Sequence, residues 1–179
     1  MISGNMFINY KKDEPNQFEV GEIPYAGGRF SMYIALPLTD DGIASLEKYL
    51  SDPHNVNCLF MDLKIYYAEV KIPKFTTETT LDLMKPLKEL GIAKAFGPGA
   101  EFPRITSGTT HISQVIHKVR FDVTQTGTTA AAETTEETNK GPALTTTEAD
   151  IQFVADHPFL YFLRDRETGL ILFQGKFSG

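Results

Sequence analysis

Four histidines, one cysteine and a scatter of carboxylates are the side chains of this 179-residue chain that could carry acid–base, nucleophilic or metal chemistry. His54, His111, His117 and His157 fall in different segments, with no i, i+4 spacing among them and no cysteine partner, so no zinc site is read from them. Cys58 stands in the apolar run VNCLFM and reads as a small buried hydrophobe; being single, it cannot form an internal disulfide. His117, inside the run ISQVIHKVRFDV, reads as a hydrogen-bonded core histidine, not a general base. No GxSxG elbow, P-loop or dinucleotide fingerprint occurs, and GPG at 97–99 and AGG at 26–28 are ordinary turn glycines. The acidic residues name no catalytic pair. The expectation is a protein that is not an enzyme, with no catalytic residue, metal or cofactor.

One stretch remains, running from Val123 to Pro158. Ten of the 24 residues from Thr124 to Thr147 are threonine, and Leu144 is the only large apolar one, so this cannot be an ordinary core segment. Its part GTTAAA, Gly127 to Ala132, is built of side chains small enough to slide into a sheet. The function is expected in this loop, set between two apolar strand-like runs.

The elements that must position it follow from pattern. MFINY, FEVGEIPY and RFSMYIALPL read as strands, with a glycine turn at Ala26-Gly27-Gly28. Thr39-Asp40-Asp41-Gly42 reads as the start of a helix over GIASLEKYL, and a second short helix is expected over Asn55 to Leu63. IYYAEVKIPKFTTET is a strand region bent at Pro73. LDLMKPLKELGI is amphipathic, with Leu81, Leu83, Met84, Leu87 and Leu90 in one stripe and Gly91 as its cap; Pro86 implies a helix opening near it or a kink there. ISQVIHKVRFDV is a long strand, and FLYFLRD and GLILFQGKF form a closing pair around Arg166-Glu167-Thr168-Gly169. The class is α+β, strand-dominated, with a few short helices and a single domain over 1–179.

Composition bounds the partners. A net charge of −6 and a pI near 5.2 argue against nucleic acid. No apolar run approaches the roughly 20 residues of a membrane span, and MISGNMFINY lacks the features of a signal peptide.

The order of these blocks resembles the C-terminal half of a serpin, over essentially the whole chain. VKIPKF followed by LDLMKPLKELGI resembles the family's strand-then-helix block, AEFPRIT its short turn, and ISQVIHKVRFDV the strand that leads into the reactive loop. TGTTAAAET resembles the hinge of inhibitory members, and FVADHPFLYFLRD with TGLILFQGKF the C-terminal signature. The resemblance implies multi-stranded β-sheets with the N-terminal half of the fold missing, and an exposed reactive-centre loop over 124–150. It also implies a suicide-type inhibitor of a serine protease, or of a cysteine protease. In that mechanism the loop is cut and inserts as a strand in the central sheet, dragging the acylated protease with it.

Carried onto this sequence, the hinge is Gly127, Thr128, Ala130, Ala131, Ala132 and Thr134. Alternation from Thr128 turns Thr128, Ala130, Ala132 and Thr134 inward, with Glu136 and Thr138 beyond them. Gln125 and Thr129 stand where inhibitory members usually carry glutamate, and Glu133 where a small residue is usual. Counting from Gly127 as the family's hinge glycine puts the cut after Gly141, but proline follows it. The register one shorter, Lys140-Gly141, is therefore favoured as the bait bond, a target for a trypsin-like protease. Counting back from His157-Pro158-Phe159 favours Leu144-Thr145, a target for chymotrypsin-like, elastase-like or cathepsin-like enzymes. Two other readings stand beside this one. Glu133, Glu136 and Glu137 favour a non-inhibitory binding or storage protein, and the missing half favours an inactive fragment. The resemblance implies secretion, with a cytoplasmic member as the alternative.

Overall fold

The computed structural model describes residues 1–106, 108, 110–124 and 149–179. These divide into two compact units, one of Met1–Phe75 with Val123–Gly179 and one of Thr76–Asp122, where the sequence reading had a single domain.

The larger unit is a seven-stranded sheet in the order β7-β4-β1-β2-β3-β8-β9. Its strands are β1 (Ile2–Asp13), β2 (Phe18–Pro24), β3 (Phe30–Pro37), β4 (Lys64–Ile72), β7 (Ile151–Val154), β8 (Phe159–Asp165) and β9 (Ile171–Phe177). Neighbours pair antiparallel except β4 and β7, which run parallel from Ala68↔Ile151 to Lys71↔Val154. The nearly continuous apolar run of β3 places it where both faces are covered: seven of its eight residues are buried.

Register assigns the two faces. Glu22, Tyr33 and Phe162 form one row, and Gly21, Ile34, Tyr161 and Gly175 the next, on the opposite face. The first face is roofed by α1 (Ile43–Tyr49) and α2 (Pro53–Leu59), whose buried Leu46 and Leu59 pack on Phe18, Val20, Tyr33, Ala35 and Phe162. On the second, Ile8, Ile34 and Val70 are buried, and Phe153 of β7 lies over Gly21.

The helices differ from expectation in their starts. Asp40 and Asp41 do not cap α1; Gly42 is its N-cap, with no side-chain hydrogen bond. α2 opens upstream of the expected Asn55, because the Asp52 carboxylate accepts the His54 N–H at 2.8 Å and Pro53 fits the first turn. Cys58 sits on α2 half-exposed, its Sγ 3.6 Å from His54 Nε2, which corrects both the buried thiol and the absence of a cysteine partner.

The smaller unit carries β5 (Phe75–Asp82) beside β6 (Ile116–Val123), α3 (Met84–Glu89) and a 3₁₀ turn at Lys94–Phe96. Leu81 and Asp82 remain in β5 and Leu83 is the α3 N-cap, so the expected stripe is split between strand and helix. No residue of α3 is buried. Pro86 is accommodated in the first turn, and Gly91, with φ 95°, ends the helix as expected.

Candidate functional site

The candidate site is the segment after β6 and before β7. Its hinge residues Gly127, Thr128, Ala130, Ala131, Ala132 and Thr134 lie outside the described residues. So do both bait bonds, Lys140-Gly141 and Leu144-Thr145. What the structure describes is the two ends between which that segment runs.

At the upstream end, β6 is two-sided. Phe121 and Val123 are buried, and His117 and Val119 share their face by alternation. The other face carries Lys118, Arg120 and Asp122. Arg120 donates to Glu78 at 2.8 Å and to Asp122 at 2.9 Å, and the Thr76 hydroxyl donates to Asp122 at 2.6 Å. The Arg120 hydrogen bond, with that of Thr76, holds the Asp122 carboxyl below its ordinary value. His117 corrects the sequence reading: it is exposed, since no described residue covers the apolar face at its end of the strand.

The downstream end is fastened more tightly. The Asp150 N–H donates to the Tyr67 carbonyl at 2.8 Å, and the Asp150 carboxylate accepts the Tyr67 N–H at 3.1 Å. β7 follows along β4, and the Ala155 N–H continues the ladder to the Lys71 carbonyl at 2.8 Å. Phe153 is fully buried and sets its ring edge-on to Tyr10, centroids 6.3 Å apart. A Cβ on Gly21 would lie 2.9 Å from the tip of that ring, so glycine is what admits it. Tyr10 in turn donates its hydroxyl to Glu19 at 2.8 Å. Burial raises the Glu19 carboxyl above its ordinary value, and burial together with Glu19 raises the Tyr10 phenol.

His157 closes this end. Its Nε2 lies 2.8 Å from the Pro37 carbonyl oxygen and its Nδ1 2.9 Å from the Asp156 carboxylate, with Asp40 at 3.8 Å. Partial burial pulls the imidazole down, but its hydrogen bonds to Asp156 and Pro37 and the Asp40 charge outweigh burial and leave it above its ordinary value.

Sequence reasoning missed β7 and gave Asp150 and His157 no role. The signal was present: IQFV is a short β-forming run, and His-Pro follows it at a corner. Among the described residues neither His117 nor His157 is joined to a second histidine or to a cysteine, and no metal-binding cluster exists.

The arrangement is a pair of sheet-bound ends, with no catalytic constellation among the described residues. A sequence profile of the family described as Serpin (serine protease inhibitor) matches residues 1–179. The chain belongs to the serpin family. An uncharacterised serpin-like protein of Methanosarcina acetivorans is 38% identical over 98% of this chain, which spans 40% of that relative. Iripin-4 of the tick Ixodes ricinus is 35% identical over 98% of the chain, which spans 44% of it. Uncleaved ovalbumin shares the fold, with a TM-score of 0.77 at 21% identity over 97% of this chain and 42% of its own. This serpin chain thus corresponds to a partial fold, spanning less than half the length of the relatives it matches. Serpins generally target proteases. No described helix is long and apolar enough to cross a membrane.

Proposed function

We propose that this chain supplies the bait-loop part of a serpin-type inhibitor of a serine protease. Residues 124–150 form the reactive-centre loop, with Gly127 as pivot and Thr128, Ala130, Ala131, Ala132 and Thr134 as the part that enters the central sheet. Lys140-Gly141 is the bond offered to a trypsin-like protease, and Leu144-Thr145 the second candidate, for a chymotrypsin-like, elastase-like or cathepsin-like one. The observation that carries this reading is the family match over all 179 residues, loop segment included. The small inward set of the hinge supports it, because strand insertion admits small side chains without reopening the sheet. Each added ladder hydrogen bond contributes roughly 0.5–1.5 kcal/mol, so a dozen would supply on the order of 10 kcal/mol to move the trapped enzyme. Secretion, where a bait loop meets extracellular proteases, fits the same reading.

Brief incubation with trypsin and with chymotrypsin, followed by intact mass, tests the bond. Trypsin is expected to leave residues 1–140 and 141–179. A dominant trypsin cut elsewhere would remove the lysine assignment, and a chymotrypsin cut after Leu144 would install its rival.

Glu133, Glu136 and Glu137 favour a second reading, a non-inhibitory relative whose loop is cut without inserting. Alternation turns Glu136 inward, where an unpaired carboxylate is costly.

A further inference from the structure

We propose that His157 is a proton-operated clasp on the corner that ends β7. As an imidazolium it ties the chain leaving β7 to the end of β3, and on losing its proton it releases one side of that tie.

The geometry requires both ring protons. Nε2 faces the Pro37 carbonyl oxygen at 2.8 Å, an acceptor only, and Nδ1 faces the Asp156 carboxylate at 2.9 Å, also an acceptor. A neutral imidazole has one N–H. Either tautomer therefore keeps one hydrogen bond and turns a nitrogen lone pair on an oxygen lone pair at under 3 Å. The imidazolium satisfies both contacts at once.

The surroundings bias it the same way. Asp156 of the corner and Asp40, from the segment between β3 and α1, both lie within 4 Å of Nδ1. Glu19 of β2 adds a third carboxyl to the local field, itself hydrogen-bonded to Tyr10 and near Lys12 of β1. The side chain is 15% exposed, open enough to exchange a proton yet held in place. The raised imidazole agrees with this geometry.

What the clasp holds is short. β7 has four residues and is the edge strand of the sheet among the described residues, and its single fully buried side chain is Phe153. The corner after it is fixed by the Ala155 N–H to Lys71 and by His157 to Pro37. The clasp stands on this geometry alone. Only its bearing on residues 125–148, whose downstream end β7 anchors, rests on the inhibitor reading.

A group raised in the folded state stabilises fully below its ordinary value, here 6.5, and that contribution is lost as pH climbs through the raised value. Glu19, also raised, loses its contribution in a lower window that begins near 4.5. The two effects are therefore separable by pH.

The test needs no protease. The 179-residue chain, labelled with carbon-13 at histidine Cε1, is titrated by NMR, and hydrogen exchange of the Ile151–Ala155 amides is followed from pH about 6 to 9 after correction for intrinsic rates. His157 is expected to titrate above 6.5, with β7 protection falling across that titration, tenfold for each unit by which the folded value exceeds the unfolded one. Asp156→Asn is the decisive variant, because its side chain is 66% exposed and its carboxylate is bonded to His157. It should draw His157 back toward its ordinary value and shrink the fall in protection. His157→Gln should abolish the fall. A wild-type His157 titrating at or below 6.5, or an Asp156→Asn protein with the full pH-dependent fall, overturns the clasp.

Discussion

Gly21→Ala should destabilise the chain, and should cease to do so once the tip of Phe153 is removed. The added Cβ would sit 2.9, 3.0 and 3.2 Å from Cζ, Cε1 and Cε2 of a ring that is 0% exposed. That ring is the buried anchor of β7 and is braced by Tyr10, so it cannot swing aside without opening the strand. Overpacking of this kind costs about 1–3 kcal/mol. At an open strand position with ordinary φ, glycine to alanine would instead stabilise by about 0.4–1 kcal/mol through the unfolded chain. The sign of the effect is thus set by one contact. Phe153→Leu deletes the three clashing atoms and costs less than the roughly 3–5 kcal/mol of truncation to alanine. In that background Gly21→Ala should be neutral or stabilising, a coupling of about 1–3 kcal/mol. The chain has no tryptophan, so urea unfolding is best followed by far-ultraviolet circular dichroism on the four proteins of the cycle. Equal losses from Gly21→Ala in both backgrounds would refute the packing argument, as would a gain in the wild type.

Asp165 is buried and its carboxylate takes Arg29 Nη2 at 2.9 Å, a bond that holds it below the ordinary carboxyl range. Its contribution is present at neutral pH and lost as acid drives pH down through the depressed value, so Asp165→Asn should lower stability at pH 7 and flatten the acid limb below about pH 4, read by acid unfolding. Asp52→Ala removes the α2 cap and should cost about 1 kcal/mol in urea, with the melt of the Leu59-bearing helix weakened and the slope unchanged. The 179-residue chain by itself should be cut by trypsin in the loop without retaining the enzyme, so a denaturing gel should show no band at the combined mass.

Strands were legible wherever apolar alternation or continuity met a turn signal. β2, β3, β4, β8 and β9 fall where FEVGEIPY, RFSMYIALPL, IYYAEVKI, FLYFLRD and GLILFQGKF put them, because each joins an apolar, β-forming run to a glycine, proline or charged turn. β7 was missed because IQFV, though β-forming, is too short to show periodicity, and its parallel pairing with β4 is a long-range event with no local mark. The helix stripe at Leu81 to Leu90 misled for a different reason. Its spacing is helical, but Leu81 is claimed by β5, and Leu90, 79% exposed, faces no described partner. His117 failed similarly: its neighbours Val119 and Phe121 are apolar, so a core was inferred, yet burial needs a second layer that no described residue supplies at that end. At the loop, residue sizes and order were readable, whereas the fastening of its downstream end by Asp150, Phe153 and His157 depended on Tyr67, Gly21 and Pro37, each far away in sequence.

The thermal midpoint of a protein carrying this chain together with the rest of the serpin fold, measured before and after a single cut in the loop, tests insertion most directly. Strand insertion worth on the order of 10 kcal/mol, at roughly 1 °C per kcal/mol for a fold of about 400 residues, predicts a rise on the order of 10 °C. A midpoint that stays level or falls after the cut would contradict the spring-loaded loop and leave the non-inhibitory relative in its place.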